Sequence, residues 1–282
     1  MRPQRATAPT MTTPRWTERQ RALLGAMGIR LFAPAATAAS ATTASTAAAP
    51  ALAPRAALPV PQAAVALAPQ TAPTRATPSL VASLDWPALR EAVQACRACA
   101  LGATRQQAVF GVGHPRAHWM VVGEAPGEQE DAQGEPFVGA SGQLLDQMLR
   151  ALGLTRSAAT PQRQVFITNT LKCRPPKNRN PEAAETAQCA PYLARQIALV
   201  QPRIVLAMGR FAAQALLGSD EPVGKLRGRV HRVDGVPLVV TYHPAYLLRS
   251  PADKARAWED LCLAAAEVAH ADAHSGAEAD VH

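Results

Sequence analysis

Four of the chain's five cysteines fall into two separated pairs, Cys96-x-x-Cys99 and Cys173 with Cys189, and Cys262 stands apart. An odd count, without a secretory signal pattern ahead of it, argues against a disulfide framework and for ligation of a metal or cluster. Cys96, Cys99, Cys173 and Cys189 suit either a four-thiolate zinc site or a [4Fe–4S] cluster, and spacing alone does not choose. Cys262 is expected to be an ordinary buried thiol. A second constellation is the stretch GEAPGEQEDAQGEPFVGASGQLL, residues 123–145. Its glycines let a ligand approach the backbone closely, and its amides can donate. No Gly-Lys-Ser/Thr follows and the spacing is not G-x-G-x-x-G, which excludes both nucleotide-phosphate fingerprints. Taken alone, Phe137 would more often be core. With acids in the same loop, and Asn169 and His243 placed to share its rim, it can instead serve as a stacking platform for a flat base.

Those residues must be positioned by elements. Four apolar runs read as buried strands: HWMVVG (118–123), QVFITNT (164–170), RIVLAMG (203–209) and VPLVVTYH (236–243). Between them Ser141 can cap a helix carrying Leu144, Leu145, Met148, Leu149 and Leu152 at helical spacing. Asn180-Pro181 opens another, with Glu182 and Glu185 in its first turn. The alternation predicts an α/β fold, a three-layer α/β/α arrangement around a mostly parallel four-stranded sheet. Ligand sites in such sheets lie beyond the carboxyl ends of the strands. There stand Gly123, Glu124 and Ala125, then Asn169 and Lys172, then Met208-Gly209-Arg210, then His243-Pro244.

The folded domain is expected over 84–270. Residues 34–83 read as an Ala/Pro-rich disordered linker, because that composition cannot bury enough apolar surface to offset ordering entropy. Ahead of it, 1–33 is a tail in which WTERQRALLGAMGIRLF (16–32) can form a short helix, and 271–282 reads as a disordered tail. The net charge of +8 and pI near 9.8 suit a polyanionic partner. Two basic clusters, Lys172, Arg174, Lys177 and Arg179, and Lys225, Arg227, Arg229 and Arg232, are expected to meet phosphates. No apolar run is long enough to span a membrane, so a soluble protein is expected; a monomer is the default expectation, which nothing in the sequence decides.

Four motifs, GEAPGEQED, PFVGASGQLL, TNTLKCRPPKNRNP and HPAYLL, resemble in this order the family 4 uracil-DNA glycosylases, the iron–sulfur branch of the uracil-DNA glycosylase superfamily. The resemblance covers about residues 84–265. It implies an enzyme that flips uracil out of DNA and hydrolyses its N-glycosidic bond, leaving an abasic site in base excision repair. It implies that Phe137 stacks on uracil, that Asn169 reads its Watson–Crick edge, and that His243 stabilises negative charge at O2. Glu124 or Glu130 would position water or stabilise the cationic sugar, and Glu130 would otherwise wall off the thymine methyl; the residues do not say which carboxylate acts. Gly123 and Ala125 complete the expected substrate-binding set. The cofactor implied is a [4Fe–4S] cluster on Cys96, Cys99, Cys173 and Cys189, structural because base release transfers no electrons.

A rival branch forms a covalent DNA adduct through a histidine in an Arg-rich insert, but RPPKNRNPEAAET after Cys173 contains no histidine. A rival of another class, a non-catalytic iron–sulfur or zinc nucleic-acid-binding module, leaves Phe137, Asn169 and His243 unexplained. In HPAYLLR, Tyr246, Leu247 and Leu248 are candidate wedges for the gap left by a flipped nucleotide. The partners expected are uracil-containing DNA and, through the helix at 16–32, a repair or replication protein. A cytoplasmic, nucleoid-associated location is expected.

Overall fold

The computed structural model describes residues 78–279, with side chains over 80–271. The helix expected at 16–32, the linker up to residue 77 and residues 280–282 lie outside the described residues. Six strands form one sheet in the order β1-β3-β2-β4-β6-β5. Strands β2 (Trp119–Gly123), β3 (Phe166–Asn169), β4 (Ile204–Met208) and β6 (Val236–Thr241) are its parallel centre. Every residue of β2, β3 and β4 is buried, as both-face-covered parallel strands require.

The expected count of four strands is corrected by two short antiparallel edges, β1 (Val112–Gly113) on β3 and β5 (Val230–Val233) on β6. Two residues are too few to show alternation, and the half-exposed Val230-His231-Arg232-Val233 does not read as an apolar run.

Alternate residues of each central strand serve opposite faces. Val121, Ile167, Leu206 and Val239 pack with Leu144, Leu145, Met148 and Leu149 of α5 (Ala140–Ala151), Leu247 of α9 (Pro244–Arg249) and Leu261 of α10 (Lys254–Ala279). Met120, Val122, Phe166, Val205 and Val240 pack on the other side, with α2 (Trp86–Ala95), α6 (Ala183–Val200) and α7 (Arg210–Leu217). This is the expected three-layer architecture.

Three boundaries differ from the sequence reading. Helix α1 (Pro78–Ala82) falls in the stretch assigned to the linker, yet Val81 is buried and packs in the α2/α6 core. Just past it, at the first residue of the expected domain, Arg195 Nε donates to the Leu84 carbonyl at 2.6 Å. Helix α10 continues through 271–279, past the expected domain end. Its Cys262 is exposed rather than buried, because the core stripe of that helix runs through Leu261, Ala264 and Val268. The cap of α5 is Gly139, with Ser141 inside the first turn.

Register sets the rim. Gly123 pairs with Asn169 and Met208 with Thr241, so the parallel strands end level and release their loops on one side.

Candidate active site

Beyond those strand ends lies a cleft of about 760 Å³ lined by Glu124, Ala125, Glu130, Phe137, Asn169 and His243, among others. Gly123 supports it from beneath. A Cβ at Gly123 would stand 2.3 Å from Asn169 Oδ1 and 2.6 Å from the Phe137 ring, so only glycine lets these two side chains meet over the strand end. The whole expected substrate-binding set is therefore gathered at one place.

Asn169 is 2% exposed, and its Oδ1 is buried without a hydrogen-bond partner. An orphaned buried acceptor costs about 1–3 kcal/mol, which a ligand N–H can recover. Phe137 is both core and site: it is 5% exposed, packs in the α5 core and lines the cleft. Its φ is 55°, a left-handed conformation that aromatic residues rarely adopt. The strain is held from three directions. Glu130 Oε1 accepts from Val138 N at 3.1 Å and Gly139 N at 3.2 Å, while its Oε2 accepts from Gly127 N at 3.1 Å. Arg156 donates to the Pro136 carbonyl at 3.1 Å and is anchored on Asp146 at 2.6 Å. Gly142 leaves room for the Phe137 carbonyl, which an added Cβ would meet at 1.6 Å. Glu130 thus braces the loop. Arg156 was missed in the sequence because nothing local marks an arginine bonded 20 residues back along the chain.

His243 ends the fourth parallel strand's loop and caps α9: its Nδ1 accepts from Ala245 N at 3.1 Å. That bond leaves the proton of a neutral ring on Nε2. Burial and the nearby Arg249 charge hold the imidazole down to about 4, with Glu130 opposing them, so the ring is a neutral donor at pH 7. The Phe137 and His243 rings stack at 5.4 Å and 28°, too close to admit a base between them. A flat ligand must lie against the pair rather than inside it. Burial raises the Glu124 carboxyl, and Arg210, also in the cleft, opposes the shift.

In the HPAYLLR segment, Leu247 is buried and the Tyr246 hydroxyl donates to Asp253 Oδ2 at 2.7 Å. Leu248 is left, 45% exposed. The basic clusters are partly corrected. Lys172 is wholly buried, and Arg227 is 15% exposed and paired with Asp260 and Glu259. Arg179 lines the cleft while making a bidentate pair with Glu185.

Behind this cleft all four expected cysteines, Cys96, Cys99, Cys173 and Cys189, line a second, narrow pocket with Arg105, Lys172 and Tyr192. Among the described residues no three Cys, His, Asp or Glu side chains group closely enough to hold a single metal ion. The four cysteines share the lining of that pocket instead. Arg105 Nη1 donates to Cys173 Sγ at 2.9 Å, and Leu101, Leu171 and Ala125 pack beside them. Burial raises the Cys173 thiol and pushes that of Cys189 up to about 12, so ligation there must displace protons. Among the described residues no helix is long and apolar enough to cross a membrane.

The model of the uracil DNA glycosylase superfamily matches residues 110–262. A type-4 uracil-DNA glycosylase of Pyrobaculum aerophilum is 42% identical over 188 residues, covering 64% of this chain and 93% of that protein. One from Archaeoglobus fulgidus is 41% identical over 167 residues, 56% of this chain and 81% of the relative. One from Sulfurisphaera tokodaii is 45% identical over 172 residues, 58% and 76% respectively.

Proposed function

The chain belongs to the type-4 uracil-DNA glycosylases of the uracil-DNA glycosylase superfamily, and from that premise we propose how its own residues excise uracil from DNA. The observation that carries the mechanism is the buried, unpartnered Oδ1 of Asn169 in a cleft that also holds Phe137 and His243. Uracil, turned out of the stack, lies against Phe137. Asn169 Oδ1 accepts from N3–H, and the amide nitrogen donates to O4. Cytosine presents an acceptor and a donor at those two positions, so it leaves both amide groups opposed by like partners.

As the C1′–N1 bond breaks, its electron pair stays on the base, spread over N1 and O2, and the sugar becomes cationic. The Nε2–H of neutral His243 donates to O2 where that charge develops. Glu124, partly desolvated and facing Arg210, steadies the cationic sugar and orients water. The water's hydroxyl joins C1′ and its proton goes to the uracil anion. Among the described residues no lysine lines the cleft, in keeping with hydrolysis rather than a lysine adduct. Leu248 fills the gap in the duplex. Replacing it with alanine should slow release from double-stranded DNA about tenfold and from single strands little. Equal rates on both would remove it from that role.

Cys96, Cys99, Cys173 and Cys189 fit a [4Fe–4S] cluster: each could supply one thiolate from the lining of a shared pocket, and the Arg105 guanidinium, which donates to Cys173 Sγ, would offset the charge of the sulfurs. When bound, the cluster supplies cross-links between the segment before β1 and helix α6. The segment at 16–32 would dock the protein, as a monomer, on a repair partner where the cell keeps its DNA.

Asn169→Ala and His243→Ala should each lower uracil release by about two orders of magnitude or more, with binding to uracil-free DNA little changed. Parallel loss of binding and release in both variants would show that these side chains hold structure or phosphate instead.

A further inference from the structure

Lys172 is among the largest wholly buried side chains of the described protein, and the mechanism above does not use it. Its ammonium has three protons and meets three acceptors: Thr168 Oγ1 at 2.7 Å, the Asn169 main-chain carbonyl at 2.6 Å and Gln196 Oε1 at 2.7 Å. Two of those partners close a ring. The Thr168 hydroxyl donates to the Phe110 carbonyl at 3.0 Å, and Gln196 Nε2 donates to the same oxygen at 2.9 Å. The main chain of Lys172 joins in, its carbonyl accepting from Val109 N at 2.8 Å. Thr168, Asn169, Lys172 and Gln196 are all at most 2% exposed, so no solvent competes for these groups.

We propose that Lys172 is a positioning residue for Asn169, an inference that rests on Asn169 being the base reader. The direction of a side-chain amide follows from its own Cα and peptide. Lys172 grips that peptide at its carbonyl and ties it to α6 and to the strand-flanking segment at Phe110. Gly123 sets the other limit, because the amide rests on it with no space for a Cβ. Between the two, Asn169 is held where its orphaned oxygen faces a ligand. Lys172 also lines the cysteine pocket, and Gln196 shares α6 with Cys189. The same ammonium therefore joins the cysteine-bearing helix to the reader.

The test is a double-mutant cycle in the full-length, iron-loaded protein: wild type, Lys172→Met, Asn169→Ala and both together. Single-turnover uracil release, iron per chain and affinity for a uracil-free oligonucleotide are measured on each. Lys172→Met should slow release about thirtyfold with iron and affinity unchanged, but cost less than about twofold in the Asn169→Ala background. The same factor in both backgrounds, or a wild-type rate in Lys172→Met, overturns the positioning role alone. A wild-type rate in Asn169→Ala overturns the reader assignment and this proposal with it. If Lys172→Met does not retain iron, Thr168→Val takes its place, removing one acceptor while keeping shape. A loss of about threefold, absent without Asn169, then supports the proposal, and an equal loss in both backgrounds overturns it.

Discussion

His243 shows how one side chain serves structure and chemistry together. By accepting from Ala245 N it caps a short helix, and the same bond dictates that the outward nitrogen carries the proton. Desolvation and Arg249 keep the ring neutral down to about 4, against an ordinary 6.5. A neutral donor is well matched to a developing anion, since it need not lose a proton to be ready. Titration of His243 followed by NMR should give a midpoint near 4, and an ordinary midpoint near 6.5 would refute the assignment. Between those values the unfolded chain binds a proton that the folded protein does not. Stability from this group is thus complete above pH 6.5 and is lost as pH falls through about 4.

At the scale of elements, the loop from Gly123 to Gly139 illustrates strain held by redundancy. A non-glycine residue in a sparsely populated conformation costs about 1–3 kcal/mol and persists only where its surroundings over-determine it. Around Phe137 the Glu130 brace, the Arg156 bond and the contact with Gly142 do so together. The cysteines make the comparable case for α6. Cys189 lies on that helix, Cys173 follows β3, and Cys96 and Cys99 lie between α2 and the four-residue helix Leu101–Thr104. A cluster would pin three segments that the sheet does not join directly. Protein purified without oxygen should be brown, with about four irons per chain. Cys262→Ser, at an exposed position, should keep the colour, and Cys99→Ser should lose it together with much of the thermal stability. A colourless protein with one tightly bound zinc would reject the cluster.

For the whole molecule, α1 adds Val81 to the core ahead of the expected domain start at residue 84. A protein starting at residue 78 keeps Val81 in the core and every cleft and cysteine residue. It should release uracil from a short oligonucleotide at nearly the full-length rate, the result expected if 16–32 serves only as a tether. Starting at residue 84 removes Val81, whose burial contributes about 1.5–3 kcal/mol, and should lower the melting temperature measurably. Equal melting of the two truncations would show that α1 adds nothing. Collapse of activity in the longer one, with iron intact, would place the N-terminal residues in the DNA site.

Local sequence was enough wherever one stretch of chain carries its own signal. The continuous apolar runs named the central strands, because a strand buried on both faces must be apolar throughout. The glycine-rich loop, Asn169, His243 and the paired cysteines stood out because their types are ill-suited to a plain core. Interactions between distant segments were decided only by the tertiary fold. Lysine in a basic stretch reads as a surface charge, yet Lys172 is buried because Thr168, the Asn169 carbonyl and Gln196 converge on it from β3 and α6. Glutamate in an acidic loop reads as a catalytic acid, yet the folded loop turns three backbone N–H groups onto Glu130. Charge and periodicity are properties of a chain segment, whereas the partner that satisfies a polar group is a property of the space around it.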